Sequence, residues 1–388
     1  SEFEVAAGES RVAGVVRATG NAWHKPGWDR PELPGTLNLG AGRGSITLRI
    51  TKRAPAATNL VEFRALELVQ PAVKRAFEER ARKTRASTAW FVAAKYGLKF
   101  HWSTHSVPRR GTAKPFCDAV RDFDVKRFAD MVEETGAGYV LFTGNRFKFW
   151  FPGPIPAIEK ILPGRTCERD LIGDLADELN KRGIRLNLHL TWTPEPETDE
   201  DYVKATHYKD PDKTVWAQHF CDIVSDIGRR YGTRLSSLYS DGRFETNLYP
   251  YRVPWERMTA AARTGNPNRL VTYNQWIFPK LTDFQDYWIG ESDGHLLPPP
   301  EPEVFRTGVQ AGMQPHMISY LDDIWGHYKP DTDIQKPRFT AEELIHHVQR
   351  GIATKTVITL NVGVYQDGTI SPATLEELRA LRKAIRGK

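Results

Sequence analysis

The 388-residue chain has little cysteine and no apolar run long enough to span a membrane. A bilayer-spanning helix needs ~20 apolar residues in succession, so an integral membrane protein is excluded. The three cysteines lie far apart and form no CxxC pair, which argues against a zinc knuckle or a redox motif. Their odd count predicts no disulfide framework and leaves the compartment open. The chain does not begin with Met and shows no charged-then-apolar leader, so we expect it to be processed or truncated.

An excess of one charge is also nearly absent. Lys and Arg number 54 against 48 Asp and Glu, a net charge of +6. This small excess indicates a solvated basic surface and does not require nucleic acid as a partner. Aromatic residues, in contrast, make up 11% of the chain, and aromatic faces are common in sugar-binding clefts.

Residues 1–70 carry short β-rich runs separated by Gly and Pro turns. These runs are 11–19, 35–40, 44–50 and 60–70. Such spacing predicts a small antiparallel sandwich, or part of one. Residues 71–89 are charged with sparse apolar positions, which predicts a helical connector.

From residue 90 onward, strand patterns alternate with amphipathic helical patterns. The predicted strands are 98–102, 138–143, 185–190, 235–241, 270–275, 286–291, 316–321 and 356–362. Only the fifth link between them lacks a clear helix. We therefore predict an α/β chain in which a (β/α)8 TIM barrel over 90–388 follows the small all-β domain and the connector.

A barrel of this kind carries its active residues where the strands end, on the C-terminal face. Polar and aromatic side chains are frequent at those predicted ends. They are His101, Trp102, Asn145, Arg146, His189, Trp192, Asp241, Asn274, Trp276, Glu291, Asp293, Asp322, Asp323 and Trp325. Two carboxylates facing each other across an aromatic cleft are suited to cleaving a glycosidic bond.

Asp241 and Glu291 are the strongest carboxylate candidates. Asp241 ends the fourth strand and precedes Gly242. This position directs its carboxylate into the mouth of the barrel, the opening at the C-terminal ends of the strands, although an Asp-Gly pair also caps loops. Glu291 ends the sixth strand, with Asp293 and Glu245 as rivals for the acid/base role. Strands four and six face each other across the mouth, so a separation of ~5–5.5 Å, which implies retention of configuration, is feasible.

A metal site is the weaker alternative. His101, His105 and His189 are the only plausible ligand set, and neutral histidine serves equally well as a partner for sugar hydroxyls. We therefore expect neither a metal nor a cofactor.

Several barrel segments match a known pattern in order and spacing. They are K-Y-G-L-K-F-H-W (95–102), F-D (123–124), G-A-G-Y-V (136–140), R-D-L-I-G-D-L (169–175), S-D-G (240–242), D-I-W-G-H-Y (323–328), N-V-G (361–363) and D-G-T-I (367–370). Together they resemble the α-L-fucosidase family, family 29 of the glycoside hydrolases. The resemblance runs from about residue 90 to 385.

The resemblance implies a retaining, two-step glycosidase. Asp241 would attack the anomeric carbon, and Glu291 would protonate the leaving oxygen and then activate water. His101 would contact the sugar hydroxyls, and Trp325 would pack on the apolar face of the sugar.

The departures from the family concern the sugar-binding residues. The family's second strand ends in a His pair that binds fucose, whereas this chain has Asn145 and Arg146 in that segment. The fifth strand keeps Asn274 but lacks the family's Arg. Arg146, or one of Arg109, Arg110 and Arg243, is suited to pairing with a carboxylate or sulfate. We therefore predict as substrate a fucoside or a related glycan, with a sulfated fucoside, a uronic acid and another sugar all open as alternatives.

The predicted substrate-binding set is His101, Trp102, Asn145, Arg146, His189, Trp192, Asn274, Trp276 and Trp325. The substrate type predicts an extracellular or periplasmic bacterial protein that degrades polysaccharides. The alternatives are a glycan-binding barrel without catalysis and a transglycosylase or lyase acting on carbohydrate.

Overall fold

A computed structural model describes residues 1–16, 32–53, 66–192, 199–242, 244, 253–276, 278–292, 294–307, 310–322 and 325–387. In the described N-terminal part, strands β1 (Glu2–Ala7), β2 (Ser10–Val15) and β3 (Ile46–Lys52) form an antiparallel sheet in the order β2-β1-β3. Phe3, Val5 and Ala7 alternate onto its buried face. The antiparallel β-rich character is thus confirmed, but the predicted strand at 35–40 is wrong, since that segment is irregular and rich in Gly. Of the run 60–70, residues 66–70 are irregular and the rest lies outside the described residues.

Helix α1 (Pro71–Thr84) lies in the segment predicted as a helical connector, and α2 (Ala89–Ala93) begins at its end. Proline occupies the first turn of α1, where its missing N–H costs no hydrogen bond. Phe77 of α1 packs edge-on against Phe284 at 5.0 Å between ring centroids, and Arg85 donates to the carbonyl of Asp283. The connector therefore docks on the barrel.

Eight parallel strands build one curled sheet. They are β4 (Tyr96–Phe100), β5 (Tyr139–Asn145), β6 (Arg185–Thr191), β7 (Leu235–Asp241), β8 (Leu270–Tyr273), β9 (Gly290–Glu291), β10 (His316–Tyr320) and β11 (Val357–Val362). Their order is β8-β7-β6-β5-β4-β11-β10-β9. The two edges meet where Asp286 N donates to Val271 O at 2.8 Å and Thr272 Oγ1 donates to Tyr287 O at 2.6 Å. Side chains replace part of the backbone ladder there, so the predicted strand 286–291 shortens to two residues.

The connecting helices surround this sheet. They are α3 (Phe116–Asp122), α4 (Val125–Thr135), α5 (Pro156–Ile161), α6 (Leu171–Lys181), α7 (Glu200–Thr206), α8 (Thr214–Tyr231), α9 (Trp255–Ala262), α10 (Pro302–Arg306), α11 (Ala341–Thr354) and α12 (Pro372–Arg386). The β8–β9 link has no helix among its described residues, as predicted. None of the described helices is long and apolar enough to cross a membrane. The fold is therefore the predicted barrel with an N-terminal β-sheet.

Large side chains close the bottom of the barrel. Phe91 of α2 packs between Tyr139 and Tyr287, with ring centroids 5.0 Å from each. Gly97 on β4 is required here, because a Cβ atom would lie only 2.3 Å from the Tyr139 ring. These side chains fill the interior at the N-terminal ends of the strands.

Contrary to the expectation from the cysteine count, Cys117 and Cys167 form a disulfide, with 5.3 Å between their Cα atoms. It joins α3 to the segment before α6, while Cys221 is buried and free. The odd count misled because one cysteine belongs to the hydrophobic core, which leaves an even pair.

We expect the double variant Cys117→Ser/Cys167→Ser to lose ~4 kcal/mol in the free energy of unfolding, because the disulfide closes a loop across a sequence separation of 50. Denaturant unfolding with and without reductant measures this loss. As a control, reductant should not change the midpoint of the double variant. If reductant leaves the parent midpoint unchanged, the cross-link does not form.

Candidate active site

Four strand ends bring the predicted carboxylates and their partners together. Asp241 ends β7, and its Oδ2 accepts a hydrogen bond of 2.9 Å from Nε2 of His189 on β6. Its Oδ1 accepts from Asn274 Nδ2 and from Gly242 N, each at 2.8 Å. A carboxylate with three donors is fixed in direction and held in its ionised form.

Electrostatics favour the charged form of Asp241. Burial raises its pKa, but the His189 hydrogen bond and the charges of Lys99 and Arg146 outweigh burial and hold the pKa well below its ordinary range. His189 is completely buried, and burial together with Lys99 lowers its pKa to about 4. His189 is therefore a neutral donor at neutral pH.

Glu291 at the end of β9 lies beside Asp241. Its Oε1 accepts from the Tyr239 hydroxyl at 3.0 Å and from Asn274 Nδ2 at 3.2 Å. One amide nitrogen therefore donates to both carboxylates. Trp276 N donates to Asn274 Oδ1 at 3.0 Å, which orients the amide with Nδ2 toward them.

His101 and Trp325 line the same interior. The His101 ring lies 5.1 Å from the ring of His189 and 5.5 Å from that of Trp325. Neither ring nitrogen of His101 has a hydrogen-bond partner among the described residues. Burial lowers its pKa far below the ordinary value, so His101 is neutral and suited to exchanging hydrogen bonds with ligand hydroxyls.

Arg146 also belongs to this electrostatic environment. Its charge acts on Asp241, His101, His189 and Lys99, and its guanidinium carbon lies 5.1 Å from the Phe147 ring centroid. Arg109 and Arg110 instead pair with Asp333 at 2.7 and 2.9 Å on the surface. Of the predicted anion partners that the structure describes, Arg146 alone acts on the carboxylate site.

Three predicted substrate residues have structural contacts instead. Trp102 is buried against Phe116 and donates to Gln366 O, while Trp192 packs at 4.2 Å on Phe220. Asn145 joins β5 to β6 through two 2.8 Å hydrogen bonds with the Thr191 backbone.

The remaining candidates divide between structural positions and undescribed ones. Asp322 accepts from Gly363 N and from the Thr374 hydroxyl, both away from the carboxylate pair. His105 packs on Phe147 at 4.3 Å. No described group of three His, Cys, Asp or Glu residues could hold a metal ion. The residues outside the described part are Asp293, Glu245, Arg243 and Asp323.

Lys99 and Tyr239 are site residues that sequence reasoning missed. Lys99 is almost completely buried, and its Nζ lies 5.2 Å from the Tyr239 ring centroid and 4.7 Å from that of Trp325. Burial lowers its pKa to about 8, against the opposing pull of Glu291 and Asp241. Strand alternation was the available signal, since Lys99 shares a face with His101, and Tyr239 shares one with Asp241.

Comparisons with known proteins identify a family for this chain. The Alpha-L-fucosidase family model matches residues 115–385, more than half of the chain. A putative α-L-fucosidase of Caenorhabditis elegans is 22% identical over 76% of this chain, which spans 64% of that relative's length. Tissue α-L-fucosidase of Rattus norvegicus is 23% identical, with 77% of this chain and 68% of the relative covered.

Solved structures share the fold at low identity. An α-L-fucosidase from Lactobacillus casei in complex with α-L-fucose is 16% identical, with a TM-score of 0.55 over 76% of this chain and 96% of its own. The α-fucosidase of Thermotoga maritima in complex with a mechanism-based inhibitor is 19% identical, with a TM-score of 0.55 over 79% and 75%. Since the family model covers most of the barrel, this chain belongs to the α-L-fucosidase family.

Proposed function

We propose that this chain is a retaining glycosidase that acts on an α-L-fucoside or a related anionic glycan. The observation that carries the proposal is the Asn274 amide shared by Asp241 and Glu291. The accepting oxygens lie no further apart than the sum of 2.8 and 3.2 Å. Two carboxyl groups that share one donor are close neighbours, which favours the ~5–5.5 Å spacing of retaining glycosidases over the ~6.5–9.5 Å of inverting ones, where a water fits between the carboxyl groups.

In the first step, Asp241 attacks the anomeric carbon while Glu291 gives its proton to the leaving oxygen. The C–O bond to the leaving group breaks as the bond to Asp241 forms, which yields a glycosyl ester. In the second step, Glu291 takes a proton from water, whose oxygen displaces Asp241 and regenerates the free enzyme. His101 exchanges hydrogen bonds with sugar hydroxyls, and Trp325 packs on the sugar's apolar face.

The preference for an anionic substrate rests on the chain's departure at the end of β5. Where the resemblance leads us to expect a His pair, Asn145 is engaged with Thr191 and Arg146 adds a positive charge near Asp241. A guanidinium forms paired hydrogen bonds with a carboxylate or sulfate. We propose that Arg146 binds such a group on the substrate.

The Cys117–Cys167 disulfide supports the proposal that the protein acts outside the cytoplasm, in an extracellular or periplasmic space. Disulfides persist in oxidising compartments and are rare where thiols are kept reduced. Degradation of polysaccharides, which is the role we propose, takes place in the same compartments.

A panel of aryl α-L-fucosides, sulfated fucosides and uronides tests the substrate proposal through phenolate release. We expect turnover of at least one anionic member with retention of configuration, seen by NMR of the first-formed sugar. Arg146→Ala should lower kcat/KM for anionic members ~10- to 100-fold more than for neutral ones, because a hydrogen bond to a charged group contributes ~1.5–3 kcal/mol.

Arg146→Lys is the matched control, since it keeps the charge but not the paired geometry, and it should show an intermediate loss. Equal losses on anionic and neutral substrates would contradict the anion role of Arg146. Binding without turnover of any member would favour a glycan-binding barrel, and release of unsaturated sugars would identify a lyase.

A further inference from the structure

The barrel contains a buried amine directly beneath its carboxylates. Lys99 lies on β4, two residues before His101, and only 1% of its surface is exposed. Its Nζ contacts the ring faces of Tyr239 and Trp325. Tyr239 in turn donates its hydroxyl hydrogen to Glu291. The ring of Tyr239 therefore lies between Lys99 and Glu291.

Charged and titratable groups face Lys99 from several elements. They are Asp241 (β7), Glu291 (β9), His101 (β4), His189 (β6), His316 (β10), Tyr239 (β7) and Arg146 (after β5). Burial lowers the pKa of all three histidines, for His316 to about 3, so they carry no charge at neutral pH. Burial likewise raises the pKa of Tyr239 and keeps its phenol neutral.

Since these groups are neutral, the remaining charges around Lys99 are those of the carboxylates Asp241 and Glu291 and of the cation Arg146. Glu291 exerts a stronger attraction on Lys99 than Asp241 does. Interaction between two charges is mutual, so the ammonium favours the ionised form of Glu291 to the same extent. Little water intervenes in a buried interior, which leaves this interaction poorly screened.

We propose that Lys99 is a positioning residue whose buried positive charge sets the alkaline limit of the reaction by favouring the ionised form of Glu291. This inference rests on the proposed function, in which Glu291 must be protonated to act as the general acid. The cation makes that proton easier to lose. The rate therefore falls at a lower pH than it would in a barrel with an apolar side chain at this position.

The test is the pH profile of kcat/KM. The substrate is the aryl glycoside that the panel shows to be turned over, either a fucoside or an anionic glycoside, and it carries a poor leaving group. For Lys99→Met we expect the alkaline limb to move to higher pH by ~0.5–1 unit, less than the ~1–3 units for an opposite charge in close contact, because Tyr239 lies between Lys99 and Glu291. Lys99→Arg keeps the charge and should leave the limb in place. Leu141→Met, another substitution in the barrel interior, controls for packing and should also leave it in place. An unmoved limb in folded Lys99→Met would overturn the inference.

Glu291→Gln separates this inference from the proposed function. If the limb disappears in Glu291→Gln but stays fixed in Lys99→Met, only the role of Lys99 is wrong. If the limb persists in Glu291→Gln, Glu291 is not the general acid, and the acid/base assignment of the proposed function fails together with this inference. The Glu291 carboxyl can also be titrated without turnover by NMR of 13C-glutamate-labelled protein, with Glu291→Gln assigning its signal. Its pKa should rise in Lys99→Met, and an unchanged pKa would overturn the inference.

Discussion

Asp241→Ala is expected to lower kcat/KM by on the order of 10⁴-fold or more, because it removes the group that forms the bond to the anomeric carbon. The donors of His189 and Asn274 would then face a small cavity. Azide is small enough to enter that cavity and attack the anomeric carbon from the same side. We expect azide to restore part of the turnover and to yield a glycosyl azide of inverted configuration.

Asp241→Asn is the more conservative companion variant and should be similarly inactive while it remains folded. Asp124→Asn is a matched control, since Asp124 caps α4 through Arg127 N, asparagine is also a good N-cap, and turnover should stay unchanged. If either Asp241 variant keeps more than about a tenth of the parent activity, Asp241 is not the nucleophile, since loss of such a group leaves far less.

Glu291→Gln should have an effect that depends on the leaving group. Proton donation by a side chain contributes ~10²–10⁴-fold, so a substrate with a poor leaving group should slow by about that factor. A glycosyl fluoride or dinitrophenyl glycoside needs no proton and should be much less affected in the first step. The measurement is kcat/KM across leaving groups of graded pKa, in which the variant should show the steeper dependence.

Azide also distinguishes the acid/base residue from the nucleophile. In Glu291→Gln it would attack the glycosyl ester on Asp241 and yield a glycosyl azide of retained configuration, opposite to the Asp241→Ala product. A uniform loss across leaving groups would show that Glu291 is not the acid/base residue. Asp293→Asn and Glu245→Gln, which alter the rival carboxylates, should then be measured in the same series.

Much of the fold could be predicted from the sequence, because alternation of apolar strands and amphipathic helices specifies a barrel locally. The same reasoning placed Asp241 and Glu291 at strand ends that face one mouth. The sequence reasoning did not establish which strand-end side chains face the barrel interior and which face the helices. Trp102 follows inward-facing His101 by one residue, and Trp192 follows Thr191, so the period of two directs both indoles outward into the helix layer.

Other features depend on contacts that sequence patterns do not encode. Cys117 and Cys167 are far apart in the chain and meet only after α3 has packed beside the segment that precedes α6. The bridging role of Asn274 requires the exact placement of two strands and of the Trp276 backbone. Lys99 was missed because a charged residue within an apolar strand resembles an exposed edge position, although here it is buried against Tyr239 and Trp325.

The shared Asn274 amide donates to both carboxylates, whose charges alternate during the proposed cycle. In the free enzyme the two hydrogens on its Nδ2 serve Asp241 and Glu291, one each. Once Asp241 becomes an ester, it is uncharged and accepts hydrogen bonds less strongly. The hydrogen bond to Glu291 is then the stronger of the two, because Glu291 must be ionised at that moment to take a proton from water. When the ester is cleaved, negative charge returns to Asp241 and strengthens the hydrogen bond that it accepts from the amide. Asn274 thus stabilises each carboxylate by a hydrogen bond in the half of the cycle in which that carboxylate carries the charge.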